Sequence, residues 1–499
     1  MTVRRFGRSR PLPSFVSNLR AFVARHFRSI PVGLTLRKSA QSTAVHYMNR
    51  PQHSIRYAFL VIAVSVLAGC ATSTKLPTVE TQAAAIPIEE RRAGFDKFWN
   101  AINDNFYDPS IRGLDWPAVR AQYLPQIESA ATPDAYYAVM SKFAAEVGDS
   151  HVYVRAPVET YDRLSDSVTG VGMSMRFIGK ELVVSGIRKD GPAERAGLKR
   201  GMVIESIDAK AASIIYADAL AKTPPNAHPA YFSRLVSRLT RPPVGTEVTI
   251  MVRNEQDAPK TIKVVSETKS VEPPTKVRVE RLPSNVALIR MNQVGFAPIL
   301  SFRQTIIDQK DAAGIIIDLR GNPGGAVAGV LGVVDPFLDS TEEIARVKMR
   351  PMNPLLSVLS FGNTDTSSPL ATGRLFEREY AGPLAVLVDE NTASAAEMIA
   401  ASLQDYVGAI VVGRPSCGCV TGLFGFTSLP GGGEFAVSRM QIFLTKRGSI
   451  ERKGVKPDIE VPLTLADLQN SNNDRTLLAA ETALLKGGNT TLAKVSAIQ

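Results

Sequence analysis

The spacing of hydrophobic residues takes three different forms along the chain, and each form predicts a different kind of unit. Apolar side chains first recur every three or four positions, as at Phe95, Phe98 and Ile102, which is the spacing of one buried helix face. A later helix is predicted to begin at Pro133, directly after a threonine that can cap it. We therefore predict an N-terminal helical domain over residues 88–160.

Short apolar runs separated by glycines come next and are typical of β structure. Strands are predicted at 171–177, 182–187 and 247–253. These strands belong to one predicted domain, residues 165–272, which ends at the Pro273-Pro274 pair.

Unbroken apolar runs mark the last part of the chain and are typical of strands that are buried on both faces. They lie at 286–289, 315–317 and 384–388, with helical spacing between some of them. Alternating strands and helices predict an α/β core over residues 275–465, followed by a C-terminal tail at 466–499. The expected fold class is α/β multidomain.

The basic charge of the chain is confined to its N-terminal segment. The 499 residues include 58 Lys and Arg against 47 Asp and Glu, a net charge of +11. Residues 1–69 hold eleven of the basic residues and no acidic one, so residues 70–499 have 47 charges of each sign. A nucleic-acid binder needs clustered Lys and Arg in its folded part, and we therefore expect no nucleic-acid partner.

The pattern of the N-terminal segment predicts an export signal. An apolar run at 57–68 is too short to span a bilayer, and it ends in Leu-Ala-Gly-Cys70, which resembles the lipobox of bacterial lipoproteins. The resemblance implies a leader with signal peptide at 1–69, a lipidated Cys70, and a tether at 70–87. The mature protein would face the periplasm from the bacterial cell envelope, and Ala71 favours the outer membrane. An ordinary signal peptide, a transit peptide, and initiation at Met48 remain alternatives.

The segment from Gly191 to Asp208 resembles the PDZ signature, in which a short helix precedes a tight turn and a strand. PDZ domains bind extended peptide tails by adding them as a strand at an exposed sheet edge. The matching peptide-binding loop contains four residues: Gly170, Val171, Gly172 and Met173. The alternative is a docking module that binds no peptide.

Three polar segments of the core carry candidate chemistry. Asp318 to Gly325 follows a buried strand, and its glycines let backbone amides converge on a cleft as an oxyanion hole. Ser394 lies where a strand turns into a helix, an arrangement similar to the nucleophile elbow of other hydrolases. The third segment is the charged stretch 450–459.

Together these segments resemble the carboxyl-terminal processing (tail-specific) serine peptidases and their tricorn-like relatives, over residues 88–463. The resemblance implies a ClpP/crotonase-like core and an acyl-enzyme on Ser394. It also implies oxyanion amides from Gly324 or Gly325 together with Ala395. The alternatives are that Ser394 only caps a helix and that the glycines only form a tight turn.

The residue expected to act as general base differs from that of the Ser-Lys branch of this family. Cys419 stands where that branch has its lysine, and a serine hydroxyl cannot attack an amide without a base. The tricorn-like branch instead pairs the serine with a histidine and an assisting glutamate. That resemblance implies His151 as base, Glu451 as orienting acid and Ser150 as support. His151 could also be structural, and Glu451 a surface charge.

The remaining histidine and cysteines receive no catalytic role. His228 lies in a stretch rich in Pro and Asn, which favours a solvated loop. Cys417 and Cys419 cannot complete a four-ligand zinc site, and a disulfide between residues two apart is expected to be strained, so packing or loop rigidity is favoured. We predict neither metal nor cofactor.

The predicted activity is a serine endopeptidase that acts on protein or peptide tails. The alternative from another class is a catalytically inactive, PDZ-containing pseudopeptidase that serves as a periplasmic binding scaffold, for which the missing lysine is the main argument. Binding of a small hydrophobic ligand fits less well, because the serine and the PDZ unit are both retained. A homo-oligomer and an adaptor are left open.

Overall fold

The computed structural model describes most of the chain beyond its N-terminal segment. The described ranges are 85–157, 167–254, 258–270, 277–295, 298–350, 366–372, 377–470 and 473–486. The predicted leader, the lipidated Cys70 and most of the tether lie outside them. Within these ranges, no helix combines the length and the apolar character that crossing a bilayer requires.

The first described part is a helical unit, residues 85–157, in which side-chain caps set the starts of the second and third helices. Its elements are α1 Ile88–Asn105, α2 Trp116–Ser129, α3 Pro133–Glu146 and β1 Tyr153–Arg155. Asp115 accepts a hydrogen bond from the Ala118 N–H at 3.0 Å, and Thr132 accepts one from the Ala135 N–H at 3.1 Å. Such caps satisfy amides that have no partner within the helix. The predicted start at Pro133 is confirmed.

Aromatic side chains fill the core of this helical unit. The Phe143 ring lies 4.8 Å from that of Phe95 and 5.5 Å from that of Phe98. Phe95, Phe98 and Ile102 are fully buried, which confirms the predicted stripe. Phe435, from much later in the chain, stacks on Phe98 at 4.4 Å.

The second part is a β domain, residues 167–270. It contains β2 Ser167–Gly170, β3 Met173–Ile178, β4 Glu181–Ile187, α4 Pro192–Arg195, β5 Val203–Ile207, β6 Lys210–Ala211, α5 Ala212–Ala221, α6 Ala230–Arg238, β7 Glu247–Arg253, β8 Lys260–Val265 and β9 Glu267–Ser270. The main sheet has the order β3-β4-β5-β7-β8, with β6 beside β5, and β2 pairs separately with β9. β3 therefore forms one edge of the sheet.

The third part is an α/β core. It begins with β10 Val277–Arg281, β11 Val286–Met291, α7 Pro298–Asp308, β12 Gly314–Asp318, α8 Val327–Val334, β13 Glu343–Met349, β14 Thr366–Ala371, β15 Leu384–Val388, α9 Ala395–Ser402 and β16 Ile410–Gly413. It continues with β17 Thr421–Gly422, β18 Thr427–Ser428, β19 Glu434–Ala436, β20 Met440–Leu444, β21 Ile459–Glu460, α10 Leu465–Gln469 and α11 Arg475–Leu485.

One sheet of the core has the order β10-β11-β12-β15-β16-β21, in which the strands from β11 to β21 run parallel and β10 is antiparallel to β11. All residues of β12 and β15 are buried, which accounts for the unbroken apolar runs. The turns after these two strands lie at the same edge of the sheet because parallel strands share their direction. This edge contains Gly324 and Ser394.

Two segments differ from the sequence-based domain boundaries. The C-terminal tail was predicted to start at residue 466, yet α11 packs Ala480 and Leu484 into the hydrophobic layer under the parallel sheet. Strands β18 and β19 form a sheet with β1 of the helical unit, although we assigned them to the core. Both are tertiary contacts that local spacing does not encode.

We expect Phe435→Ala to lower the free energy of unfolding of the helical unit by about 3–5 kcal/mol, because it leaves a cavity beside Phe98. The two tryptophans of the chain, Trp99 and Trp116, both lie in this unit, so the urea dependence of tryptophan fluorescence measures it. Phe424→Ala, at a ring that is 48% exposed, serves as the matched control. Equal midpoints for the two variants would contradict the expectation.

Candidate active site

Ser394 occupies a strained backbone position between β15 and α9. Its φ of 56° and ψ of −124° lie where residues other than glycine rarely occur. Such strain costs about 1–3 kcal/mol and concentrates at functional sites. The preceding residue is fixed as well, because the Ala393 N–H donates to the Asn322 carbonyl at 2.9 Å. The turn therefore holds the serine at the end of the sheet, as predicted for a nucleophile elbow.

A buried carboxylate, Glu397, fixes this turn from within α9. It accepts hydrogen bonds from the N–H groups of Ser394 at 3.0 Å, Gly418 at 2.8 Å and Cys419 at 2.8 Å, and from the Ser416 hydroxyl. Burial raises the pKa of Glu397, whereas these donors oppose the rise. The sequence analysis gave Glu397 no role, although a glutamate three residues after a helix-capping serine is a recognised capping pattern.

The predicted oxyanion loop lies directly against the Ser394 turn. A Cβ atom added to Gly324 would come within 2.7 Å of the Ser394 Cβ and 2.8 Å of the Ala395 nitrogen, so only glycine fits there. The Gly324 N–H already donates to Asn322 Oδ1 at 2.9 Å. Within the described part of the chain, the N–H groups of Gly325 and Ala395 donate no hydrogen bond. Of the predicted donors, this geometry therefore favours Gly325 and Ala395 over Gly324.

The hydrogen bonds of Ser150 define the tautomer of the His151 ring. The Ser150 hydroxyl donates its one proton to Glu451 Oε2 at 3.0 Å, and its oxygen lies 2.8 Å from His151 Nδ1. When Glu451 is ionised and accepts this proton, Nδ1 carries the ring hydrogen and donates it to Ser150. This leaves Nε2 with a free lone pair. Burial, together with Arg234 and His228, lowers the pKa of His151 to about 3, so the ring is neutral at neutral pH.

Glu451 contacts the imidazole through Ser150 and forms no direct hydrogen bond to His151 among the described residues. It accepts hydrogen bonds from the Ser150 N–H at 2.9 Å and the Val420 N–H at 2.7 Å. Burial and the nearby Asp149 carboxylate raise the pKa of Glu451 to about 8. The predicted Ser150 and Glu451 thus form a relay to His151.

The sequence analysis missed a polar cluster that lies beside the same ring nitrogen as Ser150. Asp149 accepts hydrogen bonds from the His151 N–H at 2.9 Å, the Thr421 hydroxyl at 3.1 Å and the Ser438 hydroxyl. Thr421 Oγ1 also lies 3.1 Å from His151 Nδ1. Burial raises the pKa of Asp149. Its position directly before Ser150-His151 was the available signal.

The prediction of a solvated His228 is wrong. The residue is 3% exposed, its Nε2 lies 2.9 Å from the Gly418 carbonyl oxygen, and its Nδ1 accepts from the Ala230 N–H at 3.1 Å. His228 thus fastens the β domain to the segment 416–421. A local composition of Pro and Asn indicates a loop but not whether another part of the chain covers it.

The segment 416–421 connects the Ser394 half of the site to the His151 half. Its Cys419 N–H binds Glu397, and the next N–H, of Val420, binds Glu451. Among the described residues, no hydrogen bond joins Ser394 Oγ to the His151 ring.

Two of the cysteines form a disulfide within this segment. Cys417 and Cys419 are joined with their Cα atoms 5.2 Å apart, contrary to our expectation of simple packing. The described ranges contain no group of His, Cys, Asp and Glu side chains that could hold a metal ion.

The predicted peptide-binding loop lies where β2 leads into β3. Gly170, Gly172 and Met173 line a cavity of about 290 Å³ together with Arg188 and Arg241. The cavity opens beside β3, the edge strand of the β domain.

Comparison with known proteins identifies two regions of the chain. Residues 285–461 match the model of peptidase family S41, and residues 87–145 match the tricorn protease C1 domain. The chain is 24% identical over 461 residues to carboxyl-terminal-processing peptidase 3 of Arabidopsis thaliana, covering 85% of this chain and 82% of that protein. It is also 24% identical over 378 residues to a carboxyl-terminal-processing protease of Picosynechococcus, covering 73% and 81% respectively.

The structural comparison agrees with the sequence matches. The solved structure of mature CPAF has a TM-score of 0.63 and 13% identity, covering 81% of this chain and 99% of that chain, which shows a shared fold. The resemblance found in the three core segments is thereby confirmed: residues 285–461 form a peptidase family S41 domain, and the chain is a serine-type peptidase.

Proposed function

We propose that this peptidase cleaves protein or peptide tails through an acyl-enzyme on Ser394, with His151 as its general base in the manner of the tricorn-like branch. The Glu451–Ser150–His151 relay carries the proposal, because it leaves Nε2 of a neutral imidazole free to accept a proton. The strained Ser394 turn supports it as the nucleophile.

In acylation, Ser394 Oγ attacks the substrate carbonyl carbon while its proton passes to His151 Nε2. The imidazolium that forms keeps its Nδ1–H on Ser150, and the Glu451 carboxylate stabilises the positive charge through that hydroxyl. The proton then passes to the nitrogen of the leaving amine as the amide bond breaks. A water molecule releases the acyl group by the same steps, with His151 again taking the proton.

The N–H groups of Gly325 and Ala395 would stabilise the negative oxygen of the tetrahedral intermediate. Both lie at the Ser394 turn, and neither donates to another described group. Amides fixed before the reaction stabilise developing charge without reorganising. Hydrogen bonds between a nucleophile and its base are often long before substrate binds, which is compatible with the missing contact between Ser394 and His151.

The other parts of the proposal concern how the tail is bound and where in the cell the protein works. The β domain would act as a PDZ module that binds the tail, and the core would be of the ClpP/crotonase-like type. A lipidated Cys70 would anchor the protein in the outer membrane of the bacterial envelope, facing the periplasm. The edge strand β3 and the cavity beside Gly170 support the PDZ assignment.

Ser394→Ala should abolish labelling by a fluorophosphonate probe and lower the hydrolysis of an unfolded protein substrate by at least about a thousandfold, since the nucleophile is lost. His151→Ala should do the same without disturbing the fold. Ser340→Ala removes an exposed serine hydroxyl and is the control. Equal labelling of wild type and Ser394→Ala would disprove the nucleophile, and tail binding without turnover would favour the pseudopeptidase.

Activity should rise with pH as Glu451 ionises, because only its carboxylate stabilises the imidazolium. Since the pKa of Glu451 is raised to about 8 and that of His151 is lowered to about 3, we expect the acidic limb of the kcat/KM profile to reflect the glutamate. Glu451→Gln should lose this limb and about 10²–10⁴-fold of the rate. Glu460→Gln, at an exposed glutamate, should keep both. An unchanged profile in Glu451→Gln would refute this role.

A further inference from the structure

Two arginines converge on the cavity beside the predicted peptide-binding loop. The aliphatic stem of Arg241 lies along the loop, since a Cβ atom on Gly170 would stand 3.5 Å from Arg241 Cγ. Arg188 follows β4 and donates its backbone N–H to the Gly172 carbonyl at 2.8 Å. Both residues line this cavity, which opens where the end of an added strand would lie.

The backbone of the loop is partly occupied within the fold. The Val171 N–H donates to the Thr240 carbonyl at 3.0 Å, and the Gly172 carbonyl accepts from Arg188. The Val171 amide is therefore not free to bind a carboxylate. Positive charge at this end of the cavity comes from side chains.

Neither arginine has a carboxylate partner among the described residues. Arg188 Nη1 is buried without a hydrogen bond in that part of the chain. Burial and the neighbouring Arg241 both lower the pKa of Arg188, and no acidic group opposes them. The nearby Glu267 is already paired with Arg195 at 2.5 Å. A partly buried cation without a partner is costly, and a bound anion would remove that cost.

The number of charges indicates what kind of ligand fits. The α-carboxylate of a peptide tail neutralises one guanidinium and leaves the other unpaired. A second carboxylate on the same residue would pair with it, and a cavity of about 290 Å³ has room for such a side chain. Charge-assisted hydrogen bonds between arginine and carboxylate are among the strong ones.

We propose that Arg188 and Arg241 select tails whose last residue is Asp or Glu, with its two carboxylates bound by the two guanidinium groups. The proposal rests on the proposed function, in which the β domain binds tails. It specifies which tails are bound, namely those with an acidic last residue. The tail would lie beside β3 as an added strand.

The test compares three ten-residue peptides that differ only at their end: a Glu with a free carboxylate, a Gln with a free carboxylate, and a Glu with an amide. Binding is measured by fluorescence anisotropy to the full chain carrying Ser394→Ala, so that no peptide is cleaved. We expect the first peptide to bind at least about tenfold more tightly than either of the others, since each loses one charge-assisted hydrogen bond.

Arginine variants decide whether these two residues cause the preference. The preference for Glu over Gln should fall to about one in Arg188→Gln and in Arg241→Gln, the latter at an exposed position. Arg188→Lys should retain part of it. Arg253→Gln is the matched control, because its guanidinium is already paired with Glu181 and Glu205. Equal binding of the Glu and Gln peptides to the parent protein, or an unchanged preference in both Gln variants, would overturn the proposal.

Fluorophosphonate labelling of the protein with Ser394 intact separates this proposal from the proposed function. Labelling without any acidic preference would refute the tail class and leave the peptidase mechanism standing. An acidic preference without labelling would support the arginine site while refuting the mechanism.

Discussion

Two buried carboxylates bind neighbouring backbone amides, and the geometry of the candidate site depends on this pair. Glu397 holds the Cys419 N–H together with the Ser394 N–H, while Glu451 holds the Val420 N–H together with Ser150. A buried carboxylate is costly unless donors surround it. Each glutamate therefore holds its donors in place. A shift of the segment 416–421 would remove donors from at least one of the two buried carboxyl groups. Through these two consecutive residues of the loop, the constraint links the Ser394 turn to the Ser150–His151 pair.

The same arrangement explains why the site needs the β domain. His228 closes on the Gly418 carbonyl from outside the α/β core, and Arg234 donates to the Ser150 carbonyl at 2.7 Å. Arg234 also contributes to the low pKa of His151. His228, in the loop before α6, and Arg234, in α6, thus hold the candidate catalytic segments from the β domain.

Sequence reasoning found the parts of the site that are local in the chain and missed those that depend on distant contacts. Ser394 and His151 were identified because short blocks around them resemble a family. The helices and strands were predicted from hydrophobic spacing, which reflects burial on one face or on both. Burial of His228, in contrast, depends on a segment 190 residues away that meets it in space. No residue pattern near Phe435 indicates that it completes the core of a helical unit more than 300 residues earlier.

Cys419, at the position where the resemblance led us to expect a lysine, has separate backbone and side-chain roles. The Cys419 backbone donates to Glu397, a contact that any residue other than proline can make. The side chain is bonded to Cys417 and cannot act as a base. Losing the lysine therefore removes the base but leaves the support of the Ser394 turn intact. The proposed base, His151, lies on another segment, and the Val420–Glu451–Ser150 contacts hold that segment to the same loop.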